Sequence, residues 1–158
     1  MLPAPYARAL RRLLDALRDC DAVWALTGSA GLALQGVAIV PRDIDVQTDK
    51  QGAYAIQERL KAYVTRPVAF SATGRIRSHL GALRLAGVPV ELMGRLQKRL
   101  PDGRWDVPVD VGSLRTVLSW QGYAVPVLPL EYEYQAYLTL GRTETADRIR
   151  RVLTARGG

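Results

Sequence analysis

Two aspartates lie one residue apart in the segment Asp-Ile-Asp-Val at residues 43–46. On a β-strand, side chains alternate between faces, so Asp43 and Asp45 would share one face while Ile44 and Val46 point into a core. Two carboxylates held side by side repel each other, and a bound divalent cation relieves that repulsion. A ligand set made only of oxygens favours magnesium or manganese. The pair therefore predicts a divalent-cation site.

Upstream of the aspartates, Gly28-Ser29 follows a short apolar strand predicted at residues 23–26 and precedes a small helix predicted at residues 30–35. Gly28 has no Cβ, so the backbone can approach a phosphate closely. The free N–H groups and the dipole at a helix start favour an anion there. The Ser29 hydroxyl could bind a phosphate oxygen and also cap the helix. A phosphate-binding turn followed by a cation site is typical of enzymes that handle nucleotides.

Taken together, these residues resemble the signature of the DNA-polymerase-β-type nucleotidyltransferase superfamily. That signature is an apolar strand, a Gly-Gly or Gly-Ser turn, a short helix, and Asp-x-Asp or Asp-x-Glu on the next strand. Here Gly28-Ser29 is followed, after thirteen residues, by Asp43 and Asp45. The superfamily adds a third carboxylate from a later strand, and Glu91 in Gly-Val-Pro-Val-Glu-Leu-Met-Gly suits that position. The chain is similar to small bacterial members related to antibiotic nucleotidyltransferases and to toxins of toxin–antitoxin pairs.

The resemblance implies transfer of an NMP group from an NTP, such as ATP, to an acceptor hydroxyl, with release of pyrophosphate. It implies that Asp43, Asp45 and Glu91 are catalytic and bind two magnesium ions, or manganese in their place. Gly28 and Ser29 would hold the β- and γ-phosphates, and Glu91 would serve the acceptor side. The preferred NTP stays open, and the acceptor could be a small molecule such as an antibiotic, a tRNA end or a protein hydroxyl.

The elements that position these residues predict an α/β fold. We expect a small mixed sheet with helices chiefly on one side and a C-terminal helical hairpin. The whole chain, 1–158, is predicted to form one nucleotidyltransferase-like domain, with a core at about 22–128 and C-terminal helices at about 129–156. The predicted segments are helices at 4–20, 50–63, 129–140 and 143–154, a short strand at 67–70, a hairpin of 79–85 with 88–93, a loop-rich stretch at 94–122, and a strand at 123–128.

Several polar residues stay undecided between substrate contact and a structural role. The two tryptophans of the basic stretch 94–122, Trp105 and Trp120, are interpreted as anchors over the core. Binding of nucleic acid by these aromatics and the neighbouring arginines is the alternative. The sequence does not decide whether substrate is contacted by the following residues: Arg42, Arg75, Arg77, His79 and Arg142.

The composition suits a cytoplasmic protein. The 158 residues carry a net charge of +7, from 22 basic and 15 acidic residues, which suits anionic partners or a solvated arginine-rich surface. The lone cysteine, Cys20, excludes an internal disulfide, and no apolar run approaches the ~20 residues of a membrane span. The N-terminal residues lack the pattern of a signal peptide. Because so short a chain leaves the acceptor side of a cleft poorly enclosed, we expect a homodimer or a partner protein to complete it.

Two other functions compete with the enzyme. The chain could be a non-catalytic nucleotide-binding or toxin–antitoxin partner protein, although the presence of Asp43, Asp45 and Glu91 argues against a dead enzyme. It could also be a basic RNA-binding module. Binding by such a module would survive the loss of magnesium and weaken steeply with salt.

Overall fold

The computed structural model describes residues 1–157 and has a mixed seven-stranded sheet with six α-helices, which confirms the predicted α/β class. A short 3₁₀ turn, Lys61–Tyr63, follows the third helix. The helices are α1 (Ala4–Leu17), α2 (Gly28–Leu34), α3 (Lys50–Arg59), α4 (Val111–Leu114), α5 (Leu130–Thr139) and α6 (Thr143–Gly157). The strands are β1 (Trp24–Thr27), β2 (Ile44–Thr48), β3 (Val64–Ala72), β4 (Ile76–Leu85), β5 (Val88–Lys98), β6 (Thr116–Trp120) and β7 (Tyr123–Val127).

The strand order, β3-β4-β5-β2-β1-β7-β6, places the aspartate strand β2 at the centre of the sheet. On one side β2 pairs in parallel with β5, and Asp45 lies opposite Glu91. On the other side β2 pairs antiparallel with β1, and Asp45 lies opposite Thr27. Residues directly opposite each other in a sheet point to the same face. The register therefore brings carboxylates that are 46 residues apart in sequence, at positions 45 and 91, to one face of the sheet.

The two faces of the sheet are covered differently. Ile44 and Val46 are fully buried in the main core with α1 and α3, as their alternation with the aspartates predicted. On the opposite face, α4 and Tyr132 of α5 cover β1 and Leu128, the residue that follows the parallel neighbour β7. A further apolar cluster joins α2 to the two C-terminal helices through Leu32, Leu130, Tyr137, Ala146 and Ile149. The C-terminal helical hairpin is thus attached beside the Gly28 turn.

The prediction of a loop-rich stretch at residues 94–122 was wrong in part. Strand β5 continues to Lys98, α4 begins at Val111, and β6 forms a hairpin with β7. The apolar alternation of β5 is interrupted by Gly94 and by Arg95, whose φ of +56° marks an irregularity where the pairing with β4 shifts register. Such a bulge hides the second half of a strand from a pattern of period two.

Other boundaries differ by a few residues, and the reasons are local. The first helix was predicted over 4–20 but ends at Leu17, because Arg18 leaves the helical conformation with a ψ of 134° and Asp19 adopts a left-handed φ of +64°. The helix predicted at 50–63 ends at Arg59 and continues as a 3₁₀ turn. The predicted turn at Ala86-Gly87 is confirmed, with φ of +48° and +79°, as a two-residue hairpin requires. Among residues 1–157, no helix combines the length and apolarity needed to cross a membrane.

Candidate active site

The turn between β1 and α2 is packed against the aspartate strand. Gly28 has a φ of +67°, and a Cβ placed on it would lie 2.2 Å from Oδ2 of Asp45. Any larger residue would therefore have to displace the carboxylate as well as adopt a left-handed backbone. Position 28 therefore requires glycine for two reasons, the left-handed backbone and the close contact with Asp45.

Ser29 does not cap the helix, which corrects one of the two roles expected for it. Helix α2 already begins at Gly28, and its cap residue, Thr27, makes no capping side-chain bond. The Ser29 Oγ instead accepts a hydrogen bond from the backbone N–H of Arg42, at 3.0 Å. This bond ties the turn to the residue before Asp43. Because the oxygen is the acceptor, the hydroxyl proton remains available for a ligand.

Asp43, Asp45 and Glu91 come together at the centre of the sheet. Each offers a carboxylate oxygen, and these oxygens all lie within 4.8 Å of one another. Asp45 Oδ1 is buried and has no hydrogen-bond partner within the described residues. Burial, followed by the neighbouring charges of Asp43 and Glu91, raises the pKa of Asp45 to about 8. The three carboxylates repel one another when ionised, and a bound cation would remove that repulsion and give the unpartnered oxygen a ligand.

The charge on Glu91 is set by the same neighbours. Burial, and next the charge of Asp43, raise the pKa of Glu91, while the positive charge of Arg66 opposes the shift. Arg66 belongs to β3 and is exposed. The site is therefore acidic at its centre and has a cation on its β3 side.

Glu133 lies next to the glycine turn of this site and was not predicted from the sequence. It is 2% exposed, and its Oε1 accepts a hydrogen bond of 2.5 Å from the Thr27 hydroxyl. Burial raises the pKa of Glu133 to about 7, although this hydrogen bond and the nearby backbone N–H of Gly28 oppose the rise. The available signal was helical spacing, because Leu130 and Tyr137 lie three residues before and four residues after it on the buried side of α5. Glu133 links α5 to the glycine turn.

A cavity of about 750 Å³ opens beside the carboxylates, between the glycine turn and the C-terminal helices. Ser29, Asp43 and Asp45 line one wall. The other walls carry the basic side chains of Arg42, of Arg142 at the corner between α5 and α6, and of Arg148 in α6, which pairs with Glu144 in the same lining. The volume lies within the range of small-molecule and cofactor sites. An anionic ligand placed here would touch both the acidic centre and the surrounding cations.

The undecided polar residues separate into two groups. Arg42 and Arg142 line the cavity, and Arg75 reaches its edge by donating from Nη1 to the carbonyl of Leu140, at 2.7 Å. Arg77 lies instead over the ring of Trp105, at 4.5 Å, and His79 packs against Phe70 and Tyr54. Neither Arg77 nor His79 lines this cavity, which favours structural roles for both.

This fold and this arrangement of a glycine turn and three carboxylates are those of a nucleotidyltransferase. The sequence matches the aminoglycoside-2''-adenylyltransferase family over residues 9–152. The chain belongs to that family.

Solved structures agree with this assignment. A nucleotidyltransferase structure from Thermotoga maritima is 45% identical, covers 98% of this chain and 96% of its own, and has a TM-score of 0.85. The lincosamide antibiotic adenylyltransferase LnuA, solved with lincomycin, is 14% identical over 96% of this chain and 98% of its own, with a TM-score of 0.59. ANT(2'')-Ia, solved with adenylyl-2''-tobramycin, is 10% identical over 92% of this chain and 86% of its own, with a TM-score of 0.60. At these identities the last two share the fold alone. No protein of curated function matches the sequence significantly.

Proposed function

We propose that this nucleotidyltransferase moves an NMP group from an NTP to an acceptor hydroxyl in a magnesium-dependent reaction, and that the chain acts as one catalytic unit. The observation that carries the proposal is the close set of carboxylates at Asp43, Asp45 and Glu91 beside the Gly28 turn. Carboxylates this close to one another repel each other unless a cation lies between them. Asp43 and Asp45 also line a cavity large enough for a nucleotide.

The residues fit a divalent cation. Asp45 Oδ1 has no partner among the described residues, and the oxygens offered by the three side chains lie within 4.8 Å. Oxygen-only donors suit magnesium, or manganese in its place. We propose that Asp43 and Asp45 contribute to two such sites and that Glu91 completes the one on the acceptor side. When bound, the ions would supply electrostatic stabilisation of the attacking and leaving oxygens.

The glycine turn and its basic surroundings would hold the leaving end of the NTP. Ser29 can donate its hydroxyl proton to a phosphate oxygen while Arg42 N–H holds the Ser29 oxygen in place. Arg142, which lies 5.1 Å from the Tyr137 ring centroid, lines the same cavity and offers positive charge to the triphosphate. These contacts bind the β- and γ-phosphates and leave the α-phosphate at the carboxylates.

At the reacting centre, the acceptor oxygen forms a bond to the α-phosphorus, and the bond from that phosphorus to the β-bridging oxygen breaks. Pyrophosphate leaves with the bonding electron pair. We assign the proton of the acceptor hydroxyl to Glu91, which is half-buried and beside Asp43. The carboxylate then passes this proton to water. Asp43 and Asp45 would hold the cations that offset the charge of the α-phosphate during the step.

Calorimetric titration of each NTP, with and without magnesium, tests the proposal first. We expect binding that requires magnesium in the wild-type protein and that is lost in the double variant Asp43→Ala/Asp45→Ala. If a second copy of the chain completes the acceptor side, light scattering of the protein should give the mass of a dimer. Failure of every NTP to bind in any condition would exclude the transferase mechanism and would favour a partner-binding or RNA-binding protein.

Replacement of Gly28 by alanine should reduce both NTP binding and turnover, by about tenfold or more. The new Cβ would clash with Asp45 Oδ2, and the left-handed backbone would add strain of ~1–2 kcal/mol. The matched control is Gly122→Ala, whose φ of +81° is similarly left-handed but where a Cβ meets nothing within 4 Å. Steady-state kinetics and thermal melting are measured for both variants. Gly122→Ala reports the effect of backbone strain alone, and the additional loss in Gly28→Ala reports the clash with Asp45. Equal losses in the two variants would mean that the contact with Asp45 is unimportant.

A further inference from the structure

The sheet face on the acceptor side of Glu91 carries positive charge. Strand pairing aligns Arg66, Ala82, Glu91 and Asp45 in one row across β3, β4, β5 and β2. Because paired residues share a face, Arg66 projects on the same side as the two carboxylates, with only a small alanine between it and Glu91. Two strand spacings separate Arg66 from Glu91, about 10 Å. A long arginine side chain can reach a group bound next to Glu91.

This face is open. Helices α1 and α3 pack against β4 and β5 from the opposite face, where Leu83, Leu85 and Leu92 are buried. On the open face the alternate residues of the same strands are half-buried or exposed. We call this surface the acceptor face; it consists of Arg66, Leu80, Ala82, Arg84, Glu91 and Met93.

The acceptor face carries two basic residues, Arg66 and Arg84, and one acidic residue, Glu91. Within the described residues, Arg66 makes no side-chain hydrogen bond or ion pair, so its guanidinium is free to bind a ligand. Arg84 lies on the same face and donates one bond to the carbonyl of Gly87, at 2.7 Å, which holds its guanidinium at the surface.

This charge disfavours a polycationic acceptor. An aminoglycoside carries several ammonium groups, and its binding requires carboxylates around the reacting hydroxyl in addition to those that hold the metal. The acceptor face offers arginines in that place. A phosphodiester chain has the opposite requirement, since each phosphate next to the terminal hydroxyl needs a nearby cation.

We propose that the acceptor is the terminal 3'-hydroxyl of a nucleic acid strand, with Arg66 and Arg84 contacting the phosphates that precede it. The inference rests on the proposed function, because it assigns the acceptor of that same site. The 3'-oxygen forms the new bond to the α-phosphorus of the NTP, pyrophosphate departs with the electron pair, and the hydroxyl proton goes to Glu91. The strand then leaves longer by one nucleotide. The half-buried apolar surface of Leu80 and Met93 can accommodate the terminal sugar and base.

A labelling experiment tests the assignment. The wild-type protein is incubated with magnesium, an equimolar mixture of α-labelled NTPs and one acceptor at a time. The acceptors are a single-stranded RNA with a 3'-hydroxyl, the same RNA ending in a 3'-phosphate, a nucleoside 5'-monophosphate, and tobramycin. We expect label on the 3'-hydroxyl RNA alone. Preferential labelling of tobramycin would overturn the proposal, and so would labelling of the monophosphate in preference to the strand.

Variants locate the contact. Arg66→Gln should raise KM for the RNA about tenfold, leave kcat within about twofold, and leave the Kd for NTP unchanged. The matched control is Arg12→Gln, which removes one positive charge from an exposed position on α1, against the other face of the sheet. Equal kinetics in Arg66→Gln and the wild type would overturn the role of the acceptor face.

Binding of RNA to the acceptor face can also be measured without the transfer reaction. Fluorescence anisotropy of the labelled RNA, measured over a range of salt concentrations, should give a salt slope that is smaller by about 1 for Arg66→Gln than for Arg12→Gln. If NTP binding fails in calorimetry but this difference persists, the proposed function is wrong and the acceptor face still binds nucleic acid. If NTP binds with magnesium and the RNA shows no dependence on Arg66, the acceptor assignment alone is wrong.

Discussion

Replacing Asp45 by asparagine is expected to lower kcat for nucleotidyl transfer by about 10³-fold or more while preserving the fold. Asp45 lies within 4.8 Å of the other two carboxylates and also against the glycine turn, so we expect it to contribute to both cation sites. Stabilisation of transition-state charge by bound cations is worth several kcal/mol, and each ~1.4 kcal/mol is a factor of ten in rate. An amide of the same shape keeps the packing but is a much weaker ligand for magnesium. Steady-state kinetics at saturating NTP and magnesium measure the loss.

The control for this variant is Asp49→Asn, one residue beyond β2. Asp49 caps α3 by accepting a hydrogen bond from Gly52 N–H, at 2.6 Å, and asparagine caps helices equally well. It removes the same charge from the same neighbourhood without touching the carboxylate set. Activity of Asp45→Asn at the level of Asp49→Asn would show that the central carboxylate is not part of the catalytic centre.

The sequence was informative where a short segment determines its own geometry. The alternation in Asp43-Ile44-Asp45-Val46 predicted which side chains are buried, and Ile44 and Val46 are in the main core. Gly28 was predicted to permit a close approach, although the approaching group in the structure is the Asp45 carboxylate. Placing Glu91 beside Asp45 needed more than local pattern, because the parallel pairing of β2 with β5 is a property of the whole sheet.

What the sequence could not supply depends on how distant elements dock. Glu133 looks like any acidic residue in an amphipathic helix, and its burial exists only because α5 packs against the glycine turn. Arg148 lines the large cavity only because α6 packs beside α2. Its Nη1 donates a hydrogen bond to the Ala38 carbonyl, at 2.8 Å. The acceptor face likewise depends on the register of β3, β4 and β5, which alone puts Arg66 in line with Glu91.

Stability of the metal-free protein should decrease as the pH rises from about 4 to 8. Burial, followed by the nearby charges, raises the pKa of Asp45 from 3.8 to about 8, and burial raises that of Glu133 from 4.5 to about 7. The folded protein therefore binds these protons more tightly than the unfolded chain does. The free energy of unfolding must fall between the unfolded and folded pKa values, and for Glu133 alone the shift corresponds to at most about 3 kcal/mol.

Magnesium should weaken this dependence, since a bound cation favours the ionised carboxylates that the apo protein penalises. Thermal unfolding followed by circular dichroism, at pH 5 to 8 with EDTA or with excess magnesium chloride, measures both effects. For a chain of this size, each kcal/mol corresponds to about 2–4 °C in Tm. The apo protein should lose on the order of 10 °C between pH 5 and pH 8, and the magnesium-bound protein much less.

Two variants assign the pH effect to its groups. Glu133→Gln keeps an oxygen that can accept from the Thr27 hydroxyl but removes the titrating charge, so its Tm should fall less steeply from pH 5 to pH 7. Asp45→Asn should flatten the curve further, up to pH 8, and should also weaken the response to magnesium. The two residues repel each other, so the effects are expected to be less than additive. A Tm of the metal-free wild-type protein that rises from pH 5 to pH 8 would contradict this prediction. It would mean that Asp45 and Glu133 ionise in the folded state at little cost, and that their crowding does not indicate a cation site.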